Sequence, residues 1–271
     1  MTSNPDSADA AFPVVTIAGS TLHSCTAMEA IGFIVSSSLE GRGGWVLTPN
    51  LDILRRLKRS PEFAQLCSGT TLRLADGMPV IVASRLQRTP LPERVAGSDL
   101  IWSLSSAAAE ARIPIFLLGG NPGTADAAAA VLKTRYPRLH VAGTYCPPIG
   151  FEASDTEMSR ILDALGRTQP AIVFIALGSP KQEKLIQVLR EAFSNIWYLG
   201  VGISFSFVAG EIPRAPRWMQ VLGMEWLQRL SVEPRRLARR YLIHGLPFAV
   251  WLLVTSAVRG LAGPGAPPRR D

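Results

Sequence analysis

A small set of residues has the types and spacing to do chemistry, and most of them stand directly after short apolar runs. Asp76 precedes Gly77-Met78-Pro79. A carboxylate there can cap a helix that takes Pro79 in its first turn, or it can act as a general base toward an acceptor hydroxyl. Arg94, in Pro92-Glu93-Arg94-Val95-Ala96-Gly97, offers a fork of donors suited to a diphosphate. Its competing role is a surface ion pair with Glu93. Gly119-Gly120-Asn121-Pro122-Gly123-Thr124 runs into an Ala-rich stretch. Its glycines let backbone N–H groups approach an anion at a helix start, although a tight turn with Thr124 as N-cap uses the same residues. Gln182 follows Gly178-Ser179-Pro180-Lys181. Its amide can read the edge of a ligand, or the residue simply belongs to a first helical turn. Thr48-Pro49-Asn50 and Gly200-Val201-Gly202 complete the set.

Several familiar patterns are missing. No Asp-x-Asp occurs, so a donor-bound divalent cation has no evident ligand pair and no metal is expected. Neither Gly-x-Gly-x-x-Gly nor a Walker loop is present, which argues against dinucleotide and ATP sites, and no cofactor is expected. His23, His140 and His244 lack partner spacing and read as structural. Cys25, Cys67 and Cys146 are odd in number without C-x-x-C spacing, which suggests neither zinc nor a disulfide framework.

The elements that must position these residues follow from periodicity. Apolar runs at 45–47, 72–74, 113–118, 172–177 and 197–201 read as strands. Stretches at 52–59, 78–85, 98–112, 124–135, 155–167 and 181–192 read as helices. Continuous apolar strands alternating with helices predict an α/β fold, a largely parallel Rossmann-like sheet with helices on both faces. In such sheets ligands bind beyond the carboxyl ends of the strands. That rule gathers Thr48, Asn50, Asp76, Gly119, Gly120, Thr124, Gln182, Gly200 and Gly202 on one rim.

Of 271 residues, 47% are hydrophobic and 18% charged, enough apolar material for a core. The net charge is +7, and its placement is uneven. Ten arginines face three acidic residues over 214–271, whereas the preceding chain is balanced. Such an excess suits an anionic partner. Residues 216–230 read as a helix with an apolar face, and Pro234 starts another that places Arg235, Arg236, Arg239 and Arg240 on one side. An apolar stretch over 241–258 follows, interrupted by His244, Gly245 and Pro247. A segment lying in a membrane interface is the preferred reading; a helix docked on the protein's own core and a single span are the alternatives. The expected organisation is a flexible 1–12, an α/β domain over 13–213, a basic membrane-associating appendage over 214–260 and a disordered tail over 261–271. The polar N-terminus has no signal-peptide pattern, which fits a cytoplasmic location.

Together these stretches resemble the WecG/TagA/CpsF glycosyltransferase family. The resemblance is carried by Thr48-Pro49-Asn50, Ala75-Asp76-Gly77-Met78-Pro79-Val80, Pro92 to Leu100, Phe116 to Gly120 and Ala176 to Glu183. It continues in Gly200-Val201-Gly202, Arg214-Ala215-Pro216 and Gly223 to Leu230, and spans about residues 14–241. It implies an inverting, metal-independent transfer in cell-surface polysaccharide biosynthesis. The donor would be a UDP-sugar (UDP-N-acetylmannosamine, its uronic acid or UDP-glucose), and the acceptor a polyprenyl-diphosphate-linked saccharide. Asp76 matches the general base proposed for that family, and Thr48, Asn50, Arg94 and Gln182 match polar pocket residues. Arg229, Arg236 and Arg239 fall in an appendage thought to close over the site and contact phosphate. The implied location is the inner face of the cell membrane, on an anionic lipid surface. The oligomeric state, a homo-oligomer included, stays open.

Three other readings compete. A nucleotide-binding regulatory module would use the same glycine loops without a base. A nucleic-acid binder would use the arginine helix, but no stacking platform accompanies it, so no nucleic acid is expected. An NAD-dependent oxidoreductase would need the missing glycine fingerprint.

Overall fold

The computed structural model describes residues 8–216, 219, 225–232 and 238–263. Its centre is a six-stranded sheet in the order β4-β3-β8-β7-β5-β6, with every adjacent pair parallel. The strands are β3 (Gly44–Leu47), β4 (Leu72–Arg73), β5 (Ile115–Gly119), β6 (Val141–Tyr145), β7 (Ile172–Ala176) and β8 (Trp197–Gly200). A separate antiparallel hairpin, β1 (Val14–Ile17) with β2 (Ser20–His23), precedes them. The helices up to the last strand are α1 (Ala8–Ala11), α2 (Ala27–Leu39), α3 (Leu51–Arg59), α4 (Pro61–Leu66), α5 (Met78–Leu86), α6 (Gly97–Ala111), α7 (Thr124–Arg135), α8 (Asp155–Thr168) and α9 (Lys181–Ala192). α10 (Ser204–Val208) follows it.

Alternation along the strands builds two cores. Val46, Leu72, Ile115, Leu117, Ile172, Phe174, Trp197 and Leu199 face α2, α6 and α7. Their neighbours Trp45, Leu47, Phe116, Leu118, Val173, Ile175 and Tyr198 face α3, α4, α8 and α9. Because successive side chains point to opposite faces, a strand covered on both sides must be apolar throughout. The sequence pattern predicted this α/β architecture, and the sheet has it.

The pattern did not single out the β1–β2 hairpin, α2, α4 or β6. α2 carried a readable signal, since Thr26 and Glu29 form a capping box: Thr26 Oγ1 accepts from Glu29 N, and Glu29 Oε2 accepts from Thr26 N at 2.8 Å. β6 is half-buried along its length as the sheet's edge, so its residues Val-Ala-Gly-Thr-Tyr lack the apolar run of a central strand.

A third core cluster joins β1–β2, α3 and α5 to the C-terminal helix. The chain passes through a seven-residue π-helix, Arg239–Gly245, into an α-helix over Leu246–Ala262. Phe248, Leu252, Ser256 and Gly260 recur every fourth residue and are buried against the body. At Gly260 the approach is closest, since a Cβ there would sit 2.0 Å from the carbonyl oxygen of Leu86. Lys58 of α3 lies over the Trp251 ring at 4.8 Å. The run 241–262 is long and apolar enough to cross a membrane by length and composition alone. One face of it nevertheless docks on the protein's own core, the alternative weighed for this segment. Ile243, Leu246, Val250, Val254, Val258 and Leu261 remain exposed on the rest of it.

Candidate active site

The order in which the strands are laid down creates the site. From β3 the chain moves outward to β4, crosses to build β5 and β6, and returns to fill the middle with β7 and β8. Loops leaving the carboxyl ends of the neighbouring strands β3, β8 and β7 border one crevice there. The crevice is a cleft of about 370 Å³. It is lined by Thr48 and Asn50 after β3, Asp76 after β4, Gly178 to Pro180 after β7, and Gly202 to Ser204 after β8. Gly97 and Ser98 of α6 and Lys181 to Glu183 of α9 close its other sides.

Parallel topology also points the amino ends of α3, α6 and α9 at this cleft. The N-cap residues of α6 and α9, Ala96 and Pro180, supply no capping side chain, so the positive ends of these helices stand open toward the cleft. Such helix starts favour an anionic ligand.

Six of the rim residues named from the sequence line the cleft together: Thr48, Asn50, Asp76, Gln182, Gly200 and Gly202. Asn50 has a second duty, because its Oδ1 caps α3 by accepting from Asp52 N and Ile53 N, both at 3.1 Å. Gln182 is buried, its Oε1 accepting from Gly202 N at 3.3 Å while Nε2 donates to Glu183 Oε1 at 3.2 Å. It thereby fixes the loop after β8 to the start of α9. Asp76 does not cap α5. The N-cap there is Gly77 at φ +109°, a backbone conformation that glycine adopts without strain, and no side chain bonds to the helix start. The Asp76 carboxylate instead reaches the cleft, and Arg94 Nη1 stands 3.9 Å from its Oδ1.

Arg94 is not paired with Glu93, the partner weighed from the sequence. Glu93 Oε1 accepts from Ala27 N at 2.6 Å, at the start of α2. Arg94 meets Asp99 and Glu225 instead, at 3.1 and 3.0 Å. Gly119, Gly120 and Thr124 lie outside the cleft lining. Gly119 pairs with Ala176 on β7, and Gly120 N donates to Ala176 O at 2.7 Å. Thr124 is fully buried, one residue inside α7 rather than at its cap, and its hydroxyl donates to Glu211 at 2.6 Å. In the appendage, Arg239 is exposed on the π-helix. The side chain of Arg229 and the whole of Arg236 lie outside the described residues.

Sequence reasoning gave Glu183 no role, yet it is 1% exposed and lines the cleft. Among the described residues its Oε2 has no hydrogen-bond partner. Burial pushes its carboxyl above the usual range, against the opposing pull of bonds from Gln182 and Ser179 and the charge of Arg56. The signal was its register, since Glu183, Ile186 and Leu189 share the inward face of α9. Raising a carboxyl's pKa on folding gives stability that is complete below the unfolded value and is lost as pH climbs through the folded one. Glu183→Gln should therefore gain melting temperature relative to the parent as pH rises from about 4.3, the unfolded reference. Parallel melting curves across pH 4–8 would reject the buried-acid assignment.

The site geometry is accompanied by a match to the Glycosyl transferase WecG/TagA/CpsF family model over residues 15–261. The chain belongs to the WecG/TagA/CpsF family. Among its relatives is the N-acetylglucosaminyldiphosphoundecaprenol N-acetyl-beta-D-mannosaminyltransferase of Bacillus subtilis (strain 168), 32% identical over 197 residues. That alignment covers 73% of this chain and 75% of the relative. As a WecG/TagA/CpsF member the chain is a glycosyltransferase, and the matched region takes in every cleft residue named above as well as the docked C-terminal helix.

Proposed function

We propose that this chain transfers a sugar, N-acetylmannosamine or a close analogue, from a UDP-sugar to a polyprenyl-diphosphate-linked saccharide with inversion at the anomeric carbon. The observation that carries this reading is the convergence of Asp76, Thr48, Asn50 and Gln182 in one cleft, with Arg94 beside Asp76. The name of the Bacillus subtilis relative supports both the donor sugar and the lipid-linked acceptor.

The acceptor oxygen attacks the anomeric carbon from the face opposite the nucleotide. Its proton passes to the Asp76 carboxylate, the bond from the sugar to the diphosphate oxygen breaks, and the electron pair leaves with UDP. Inversion needs one base and a leaving group, with no covalent intermediate, and Asp76 is the base in this reading. Charge growing on the diphosphate is met by the uncapped starts of α6 and α9 and by arginine. The acceptor's lipid tail requires a membrane nearby. The exposed apolar stripe of the C-terminal helix is the surface that lies against it, with arginines of the appendage at headgroup level.

The first test is a thermal-shift series with UDP, UDP-N-acetylmannosamine, UDP-glucose and UDP-glucuronate. A ligand present at about 100 times its Kd stabilises the folded state by roughly 2.7 kcal/mol. UDP and UDP-N-acetylmannosamine should raise Tm, and an unshifted Tm with all four ligands would reject the donor site. Transfer to a lipid-diphosphate acceptor should then proceed at an unchanged rate in EDTA. Loss of activity there would mean that a cation carries the leaving-group charge. A binding module, by contrast, would leave the UDP-sugar intact in the presence of acceptor.

A further inference from the structure

Two arginines and three carboxylates meet at the edge of the cleft, drawn from distant parts of the chain. Arg94 Nη1 lies 3.0 Å from Glu225 Oε2 and 3.9 Å from Asp76 Oδ1, and its Nη2 lies 3.1 Å from Asp99 Oδ2. Arg214 Nη2 lies 2.6 Å from Asp99 Oδ1 and donates to Oγ of Ser98, a cleft-lining residue, at 3.2 Å. Asp99 thus serves both guanidinium groups, one with each oxygen. Glu225 addresses both as well, but unequally. Arg214 Nε stands 3.5 Å from Glu225 Oε1 and is a buried donor without a hydrogen-bond partner among the described residues. One carboxylate does not satisfy both forks. An anion with more oxygens and a wider span would.

Glu225 lies on the Glu225–Val232 helix. Contacts of that helix with the rest of the chain include Gln228 Nε2 to Pro213 O at 3.3 Å and the Trp226 ring edge-on to Tyr241 at 6.0 Å. Among the described residues the cluster brings Asp76, Asp99 and Glu225 to Arg94 and Arg214.

We propose that Arg94 and Arg214 form a binding site for a diphosphate group, and that Glu225 is an internal anion that occupies this site until the diphosphate displaces it. The inference rests on the transferase reading and adds Arg214 and the exchange to it. Entry of the diphosphate removes Glu225 from the arginines and frees the Glu225–Val232 helix, because the two anions compete for the same donors. A nucleotide sugar and a lipid-linked acceptor carry the same diphosphate chemistry, and the ligand series separates them.

The experiment is calorimetric titration of the full chain with UDP, inorganic pyrophosphate, farnesyl diphosphate and UMP, on the parent, Glu225→Gln and Arg214→Met. Melting curves verify that each variant folds. A competent fraction of only about 10–30% with Glu225 docked means that Glu225→Gln should tighten diphosphate binding roughly 3- to 10-fold. Arg214→Met should weaken it, and UMP affinity should not change in either variant. Gains confined to UDP assign the site to the donor, and gains confined to farnesyl diphosphate assign it to the acceptor. Amide hydrogen exchange over 225–232 should rise on adding the ligand that gains. Binding of these diphosphates to the parent with none of them tightened in Glu225→Gln, or with none weakened in Arg214→Met, overturns the exchange while leaving the transferase reading standing. Failure of UDP, pyrophosphate and farnesyl diphosphate alike to bind the parent removes both.

Discussion

Asp76→Asn is expected to lower the rate of sugar transfer by roughly 10²–10⁴, the span typical of a lost general base, while UDP-sugar affinity stays near that of the parent. The substitution keeps shape and hydrogen-bonding capacity but removes the proton acceptor. Asp76 sits after β4 on a backbone turn set by Gly77, and its amide donates to Pro49 O at 3.0 Å, so the side chain is aimed by main-chain bonds that the substitution preserves. Its separation from Arg94, 3.9 Å, is too long for a hydrogen bond, and Arg94 keeps Asp99 and Glu225 as nearer partners. A melting curve alongside the kinetics separates loss of structure from loss of the base. Single-turnover measurements with donor and lipid acceptor decide the matter: retained turnover would mean that another group takes the proton.

The second large effect concerns stability. Leu252→Ala should destabilise the chain by about 2–5 kcal/mol, the usual cost of emptying a buried leucine site, which lowers Tm by roughly 5–15 °C for a chain of this size. Leu252 is 0% exposed and packs with Phe248 against the cluster formed by the hairpin, α3 and α5. Val254, two residues further along, is 56% exposed. Val254→Ala should change stability by no more than about 0.5 kcal/mol but weaken binding to liposomes, since it trims the exposed apolar stripe. The pair distinguishes a helix docked on its own domain from one surrounded by lipid. Equal stability effects at 252 and 254 would contradict the docked arrangement. The same packing bears on truncation. Removing everything after Pro213 strips Phe248 and Leu252 from a shared core as well as removing the arginines, so single arginine substitutions report on the appendage more cleanly.

Much of the site was legible because parallel α/β topology obeys a local rule. Polar residues directly after apolar strands collect at the carboxyl edge, and Thr48, Asn50, Asp76, Gln182 and Gly202 do so. The rule cannot rank the strand ends by distance from one another. Gly119, Gly120 and Thr124 also follow a strand, but β5 lies on the far side of β7 from the crevice, and Glu211 takes the Thr124 hydroxyl. Glu183 went unremarked because a charged residue in a first turn reads as a solvated one until the sheet covers it.

By itself the sequence determined the period of each element, the two-sided burial of the strands and the rim on which the polar loops gather, because these depend on residues a few positions apart. Only the tertiary structure decided which charges meet. Arg94 finds Glu225, 131 residues away, rather than its neighbour Glu93. The C-terminal helix likewise lays Leu252 on α5 and leaves Val254 in the open. Such pairings are set by how the chain crosses the sheet and by which apolar surfaces remain to be covered, and neither leaves a mark in local spacing.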